Sequence, residues 1–258
     1  MHIFKDIYDY RELLKTNVKK DIRGKYKGSF LGVLWSFINP LLQVVVYWIV
    51  FPYLMRGAGG DNYLVYLITG LIPWTFFLTT VSAGTTSIKA NAGIIKKVYF
   101  PREIIPISVV TAEAINFVIS SIIIIGFVVL GGIGISKYIL FYPLILITQY
   151  LIILAICLII SSICVYLRDL QHFIGVILQL LFYAAPIVYS KDSIPLEYQW
   201  ILKYNPMTYI IEAYRDIFYY KTMIDLKSIF ILLFLAIIGC IIGYFIFSKL
   251  QKRFAEQL

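Results

Sequence analysis

Few residues in this sequence have the type and spacing for chemistry. Glu113 is the one carboxylate deep within a hydrophobic run, with Asn116 one helical turn away. An ionisable group at such depth is a functional candidate, because a lone charge in hydrocarbon is costly. A hydrogen-bonded structural acid is an equal reading of the same pair. The two histidines, His2 and His172, stand near polar segments, and no HExxH or Cys/His spacing offers a metal site. There is no GxxxxGK[ST], so no P-loop can cradle nucleotide phosphates. Asp21, Glu103 and Asp169 are scattered and charge-matched, which argues against an enzyme acting on lipid-linked sugars.

The elements that would position these groups are membrane spans. Apolar residues make up 60% of the 258 positions and charged ones 14%, and mean hydropathy is +0.84. Soluble chains average roughly 45–50% apolar and 25% charged, so the fold class is an all-α, polytopic membrane protein. The hydrophobic pattern predicts six spans: 31–54, 63–87, 104–131, 138–167, 173–189 and 229–248. Asn39-Pro40 predicts a kink in the first, and the fifth is short. Cys157, Cys164 and Cys240 fall in apolar runs, where packing is the expected role.

Charge sets the orientation. Residues 1–30 hold eight cations, 88–103 four, and Arg168, Lys249, Lys252 and Arg253 four more. Sixteen of the twenty-three cations thus share one side when both termini are cytoplasmic, as the positive-inside bias requires. The net charge of +9 follows span ends and is no nucleic-acid footprint. Residues 1–30 also repeat apolar side chains at helical spacing, which predicts an amphipathic helix on the cytoplasmic leaflet. That unit is followed by a single membrane domain, 31–258. No cleavable signal peptide is expected at the amino terminus.

Two stretches interrupt the apolar pattern. KANAGIIKKVYFPREIIP, 89–106, places Lys89, Lys96, Lys97 and Arg102 against one acid, Glu103. Its centre, 92–98, predicts about two helical turns before Pro101, a short cytoplasmic helix on which a soluble partner could push. The second stretch, 190–227, is too apolar for a free loop and too broken for a span, which predicts two short re-entrant helices around Asn205-Pro206. In the second of these, Met207, Ile210, Ile211, Tyr214, Ile217 and Phe218 mark an apolar face, with Glu212, Arg215 and Asp216 expected on the other. Aromatics reach 17% of residues, and Tyr47, Trp48, Phe51, Trp74, Phe77, Phe182, Tyr183 and Tyr189 recur inside or at the ends of spans. Packing accounts for any one ring; as a set they could stack on sugar faces along a conduit.

Four motifs, NAGIIKKVYFPREIIP at 91–106, YLRDLQHF at 166–173, APIVYS at 185–190 and YNPMTYIIEAYRD at 204–216, carry a family resemblance. In order and spacing the chain resembles the membrane subunits of type-2 ABC exporters, most closely the polysaccharide branch that exports O-antigen and wall teichoic acid. The resemblance implies a homodimer of six-span subunits in the bacterial inner membrane. It implies two copies of a separate ATP-binding cassette subunit as partner, with ATP and Mg bound there and no cofactor in this chain. The expected cargo is an undecaprenyl-diphosphate-linked polysaccharide; the alternative is export of another lipid or a small molecule. By resemblance, Lys89, Ile94, Ile95, Lys96, Lys97, Tyr99 and Arg102 couple to the ATPase, and Arg168 and Asp169 form a smaller second contact. Lys19, Lys20, Arg23, Lys25 and Lys27 would meet the diphosphate headgroup, amid membrane lipids. Trp200, Tyr204, Tyr209, Glu212 and Arg215 would form an external gate.

Overall fold

The computed structural model describes residues 8–26, 35–54 and 62–258, and within them every regular element is helical. Helix α1 (Arg11–Tyr26) opens the described chain, followed by α2 (Trp35–Leu54) and α3 (Tyr63–Ala90). A single turn, α4 (Ala92–Ile95), leads to α5 (Ile104–Leu130), and a 3₁₀ turn at Lys137–Phe141 to α6 (Tyr142–Tyr166). Then come α7 (Leu170–Tyr183), two short helices, α8 (Gln199–Tyr204) and α9 (Pro206–Arg215), the long α10 (Leu226–Leu250) and a terminal turn, α11 (Phe254–Gln257). The stretches Tyr63–Ala90, Ile104–Leu130, Lys137–Tyr166 and Leu226–Arg253 are long and apolar enough to cross a bilayer. The apolar parts of the first and fifth expected spans are shorter, Ile38–Val50 and Leu170–Tyr183.

Helix α3 is the hub, packed by α2, α5, α6, α7 and α9. Its burial on all sides follows from its composition, which shows almost no amphipathic bias. Most buried polar side chains of the described bundle are paired, Thr208 Oγ1 and Arg215 Nε being exceptions. Gln149 on α6 donates to the Pro73 carbonyl at 2.9 Å and accepts from the Tyr214 hydroxyl at 3.1 Å, joining three helices through buried side chains. Helix α10 rides on α6 through Gly239 and Gly243; a Cβ at Gly243 would stand 3.1 Å from the Ala155 carbonyl. That spacing of two small residues lets the backbones close.

A second, smaller core closes the α3–α4 end, where Ile88, Ile95, Phe100 and Ile105 meet Phe247 and Phe254. Helix α1 packs along α5, and its Leu13, with Tyr10 just before the helix, joins this core. Its apolar stripe is therefore partly used on protein, where the sequence suggests lipid. Ile3, Phe4 and Ile7 lie outside the described residues.

Candidate functional site

One end of the bundle gathers the cationic elbow. The helix expected over 92–98 is only one turn, and Lys89 belongs to the last turn of α3 rather than to a loop. The reason is Asn91: its side chain donates back to Ser87 O at 2.9 Å, so α3 runs on as helix until this residue closes it. Lys96 N still donates to Ala92 O, but Lys97 N and Val98 N both fold back on Ile94 O and the helix does not propagate. The elbow's side chains divide. Ile94, Lys96, Lys97 and Tyr99 are exposed, Tyr99 at 92%. Ile95 is buried in the second core, and Arg102 is held by the Gln251 carbonyl and the Phe254 ring, while Glu103 accepts from Gln251 at 2.7 Å. These two members of the expected contact are thus committed to the chain itself. Beside the exposed strip, Lys89 and Ala92 share a cleft of about 340 Å³ with Arg168, Asp169, His172 and Leu258. Lys89 and Arg168, 79 positions apart and expected in two separate contacts, meet at one surface.

On α1, Lys19, Lys20 and Arg23 are exposed, and Lys20 donates to Asn91 at 2.7 Å, tying this helix to the elbow. The side chain of Lys25 and all of Lys27 lie outside the described residues. Asp21 turns inward toward Ser108, and burial raises its carboxyl above the usual range, with Lys20 and the Ser108 hydroxyl opposing and Glu113 adding to the rise. Glu113 itself lines a largely apolar cleft of about 130 Å³, where Asn39, Thr75, Thr79, Asn116 and Ser120 stand among Ile72, Phe76 and Phe117.

The opposite end is organised by Arg215. The sequence suggests a solvent-facing cation, but Arg215 is completely buried. Its guanidinium donates to Pro186 O at 2.5 Å, Ile187 O at 2.6 Å and Glu212 Oε1 at 3.0 Å, and lies 3.6 Å from the centroid of the Tyr66 ring. The physical reason is the backbone after α7, which leaves the helix at Ala184 and would expose bare carbonyls in an apolar setting. Side chains satisfy the row one by one. Tyr189 OH donates to Tyr183 O, Asn205 to Ala184 O, Tyr63 OH to Val188 O and Tyr66 OH to Tyr189 O. Asn205 also caps α9 through Met207 N, with Pro206 at the first helical position. Gly70 makes room: a Cβ there would stand 2.8 Å from Arg215 Nη2. The sequence reading missed Tyr63, Tyr66 and Gly70. Their signal was present as spacing, since i, i+3 and i+7 place all three on one helix face. Of the other expected gate residues, Tyr209 donates to Lys203 O, Glu212 also pairs with Lys191 at 3.6 Å, and Trp200 and Tyr204 are exposed.

The aromatic set separates likewise. Tyr47, Trp74, Phe182 and Tyr183 line a groove of about 240 Å³ between α2, α3 and α7, with Gln43, Thr75 and Gln179 among them. Tyr47 stacks on Phe182 at 5.7 Å, and Trp74 meets the same ring edge-on. Rings alternating with amide and hydroxyl groups are what sugar recognition uses. Phe77 is buried beside Trp74, Trp48 points outward, Tyr189 is held in the carbonyl row, and the Phe51 side chain lies outside the described residues.

A helical bundle with apolar spans, a cationic elbow and a side-chain-locked irregular segment marks a multi-pass membrane protein. Residues 12–219 match the model of the ABC-2 type transporter family, and the chain belongs to that family. It is 40% identical over 248 residues to the O-antigen export system permease protein RfbA of Klebsiella pneumoniae, covering 96% of this chain and 95% of that protein. It is 31% identical to the RfbA permease of Myxococcus xanthus over the full length of both. The polysialic acid transport protein KpsM of Escherichia coli is 26% identical over 76% of this chain and 77% of its own.

Proposed function

We propose that this chain is the permease of an ATP-driven exporter that moves a lipid-linked polysaccharide of the O-antigen type out of the cytoplasm. It works as a homodimer, each copy crossing the inner membrane six times with both termini inside. A separate subunit binds ATP and magnesium and docks on each elbow. The observation that carries this reading is the shared surface at the elbow, where the exposed Ile94, Lys96, Lys97 and Tyr99 adjoin the cleft of Lys89, Arg168 and Asp169. One rigid patch of that kind can take a push from a soluble motor and pass it along α3, whose far end touches the carbonyl row. The names of the relatives support a polysaccharide cargo, and the mixed aromatic and amide groove supports contact with sugars. The exposed cations of α1 would hold the diphosphate headgroup at the inner leaflet.

The test is a Tyr99→Cys variant in cells carrying the motor subunit. Cross-linking from this cysteine to the ATPase, with no labelling by an impermeant maleimide from outside, is the expected result. Labelling from outside overturns both orientation and docking. Alanine at Lys19, Lys20, Arg23, Lys25 and Lys27 together should lower polymer export while the ATPase still co-purifies; unchanged export removes the headgroup role.

A further inference from the structure

At the end of the bundle away from the elbow, α6, α8, α9 and α10 enclose a cleft of about 490 Å³ that the export reading does not use. Its walls are aliphatic, Ile152 and Ile156 facing Ile231 and Leu235, and its rim carries Lys203 and Tyr209. Lining residues run from Ser228 to Ala236 of α10, so the cleft descends about 12 Å from the helix start. The depth of the rim in the bilayer follows from α8. Trp200 and Tyr204 are exposed there, the residue types that mark the headgroup layer. Lys203 lies between them on the same helix, itself exposed, with no carboxylate in ion-pair range among the described residues. Asp225, the acid at the start of α10, is engaged by the Ser228 amide and hydroxyl.

We infer that this cleft holds an anionic phospholipid of the surrounding bilayer, one acyl chain between α6 and α10 and the phosphate on Lys203. An apolar slot two helical turns deep under a single cation at headgroup level matches that amphiphile in both charge and shape. A second copy of the chain is a poorer occupant, since a two-fold contact here would bring one Lys203 toward the other. The site stands whatever polymer the protein exports, because it needs only the membrane setting.

Delipidated full-length protein is mixed with phosphatidylglycerol or chain-matched phosphatidylcholine and examined by native mass spectrometry. One phosphatidylglycerol per chain should survive activation that strips phosphatidylcholine. Lys203→Glu should reduce retention about fivefold, the equivalent of about 1 kcal/mol for one cation near a membrane surface. Leu235→Trp, which fills the slot from an exposed position, should do the same, whereas Lys203→Arg and Lys227→Glu, the latter outside the cleft, should not. Equal retention of the two lipids, or full retention by both Lys203→Glu and Leu235→Trp, overturns the site. So does a Leu235→Cys cross-link between copies, which would show a second chain covering it.

Discussion

At the elbow, Lys96, Lys97 and Tyr99 are exposed just after a one-turn helix, whereas at the far end Arg215 is the buried cation among the described residues and reaches two carbonyls and a carboxylate. Positive charge does opposite work at the two ends. Exposed cations beside a cleft form a surface that a partner can grip and release at little desolvation cost. A guanidinium enclosed by carbonyls fixes a backbone that could not otherwise leave helical form in an apolar setting. The elbow is therefore expected to tolerate substitution structurally and fail functionally, and the far end to do the reverse.

The largest effect follows from the far end. Arg215→Met leaves Pro186 and Ile187 without donors and Glu212 without its buried partner, and should cost about 3–5 kcal/mol. Folded protein recovered by size-exclusion chromatography should fall sharply. Arg215→Lys should not restore it, because one ammonium cannot reproduce the planar fork that reaches both carbonyls. A methionine variant with the parental thermal midpoint would remove the lock from the comparison.

The elbow supplies its own internal contrast. Ile94 is 41% exposed and Ile95 only 4%, although they are neighbours and both belong to the expected motor contact. Ile95→Lys puts a charge into the second core and should cost roughly 3 kcal/mol of stability. Ile94→Lys should leave the midpoint unchanged and lower ATP-driven export about tenfold, the scale of one interface anchor. If the two variants behave alike, the elbow is not a docking surface distinct from the core beneath it.

These contrasts also mark what the sequence could reveal. The long apolar runs and the cationic interruption at 89–102 are patterns of composition, and composition is read directly. The split between Ile94 and Ile95 is not, because it depends on where Phe247 and Phe254 arrive from the other end of the chain. The rotation of Arg215 inward was hidden for a related reason. Helical periodicity puts it with Glu212 on a polar face, and only the irregular carbonyls after Ala184 turn that face into an interior. The joining of Lys89 with Arg168 in one cleft likewise needs α6 to run parallel beside α3, so that both helices end at the same face, which no local pattern encodes.

The carbonyl row offers a finer test of the same lock. Tyr63 and Tyr66 each donate a hydroxyl at 2.8 Å, to Val188 O and Tyr189 O. Val188 is buried and Tyr189 only partly so. Tyr63→Phe therefore leaves a carbonyl that water cannot reach and should cost about 1–2 kcal/mol, while Tyr66→Phe exposes one that water can re-solvate and should cost less. Thermal midpoints in one detergent decide the order, and the reverse order would mean that the Tyr66 hydroxyl matters more than its ring under Arg215.

The smallest effect is expected next to the lock, at Asp216, which begins a single π turn (Asp216–Tyr220) outside the spanning helices. Burial, with the Glu212 charge adding, raises its carboxyl from 3.8 to about 6, against a weak Thr222 hydroxyl bond. The folded chain therefore holds this proton more tightly than the unfolded one. The stabilisation is complete below about 3.8 and is lost as pH rises through about 6. Acidifying from pH 7 to pH 5 should raise the parental midpoint relative to Asp216→Asn, which stays neutral throughout. Because the group is partly exposed, solvent screening should hold the difference to about 2 °C. Parallel shifts of the two proteins would mean that Asp216 ionises freely, and the desolvated zone around Arg215 would then end before the π turn.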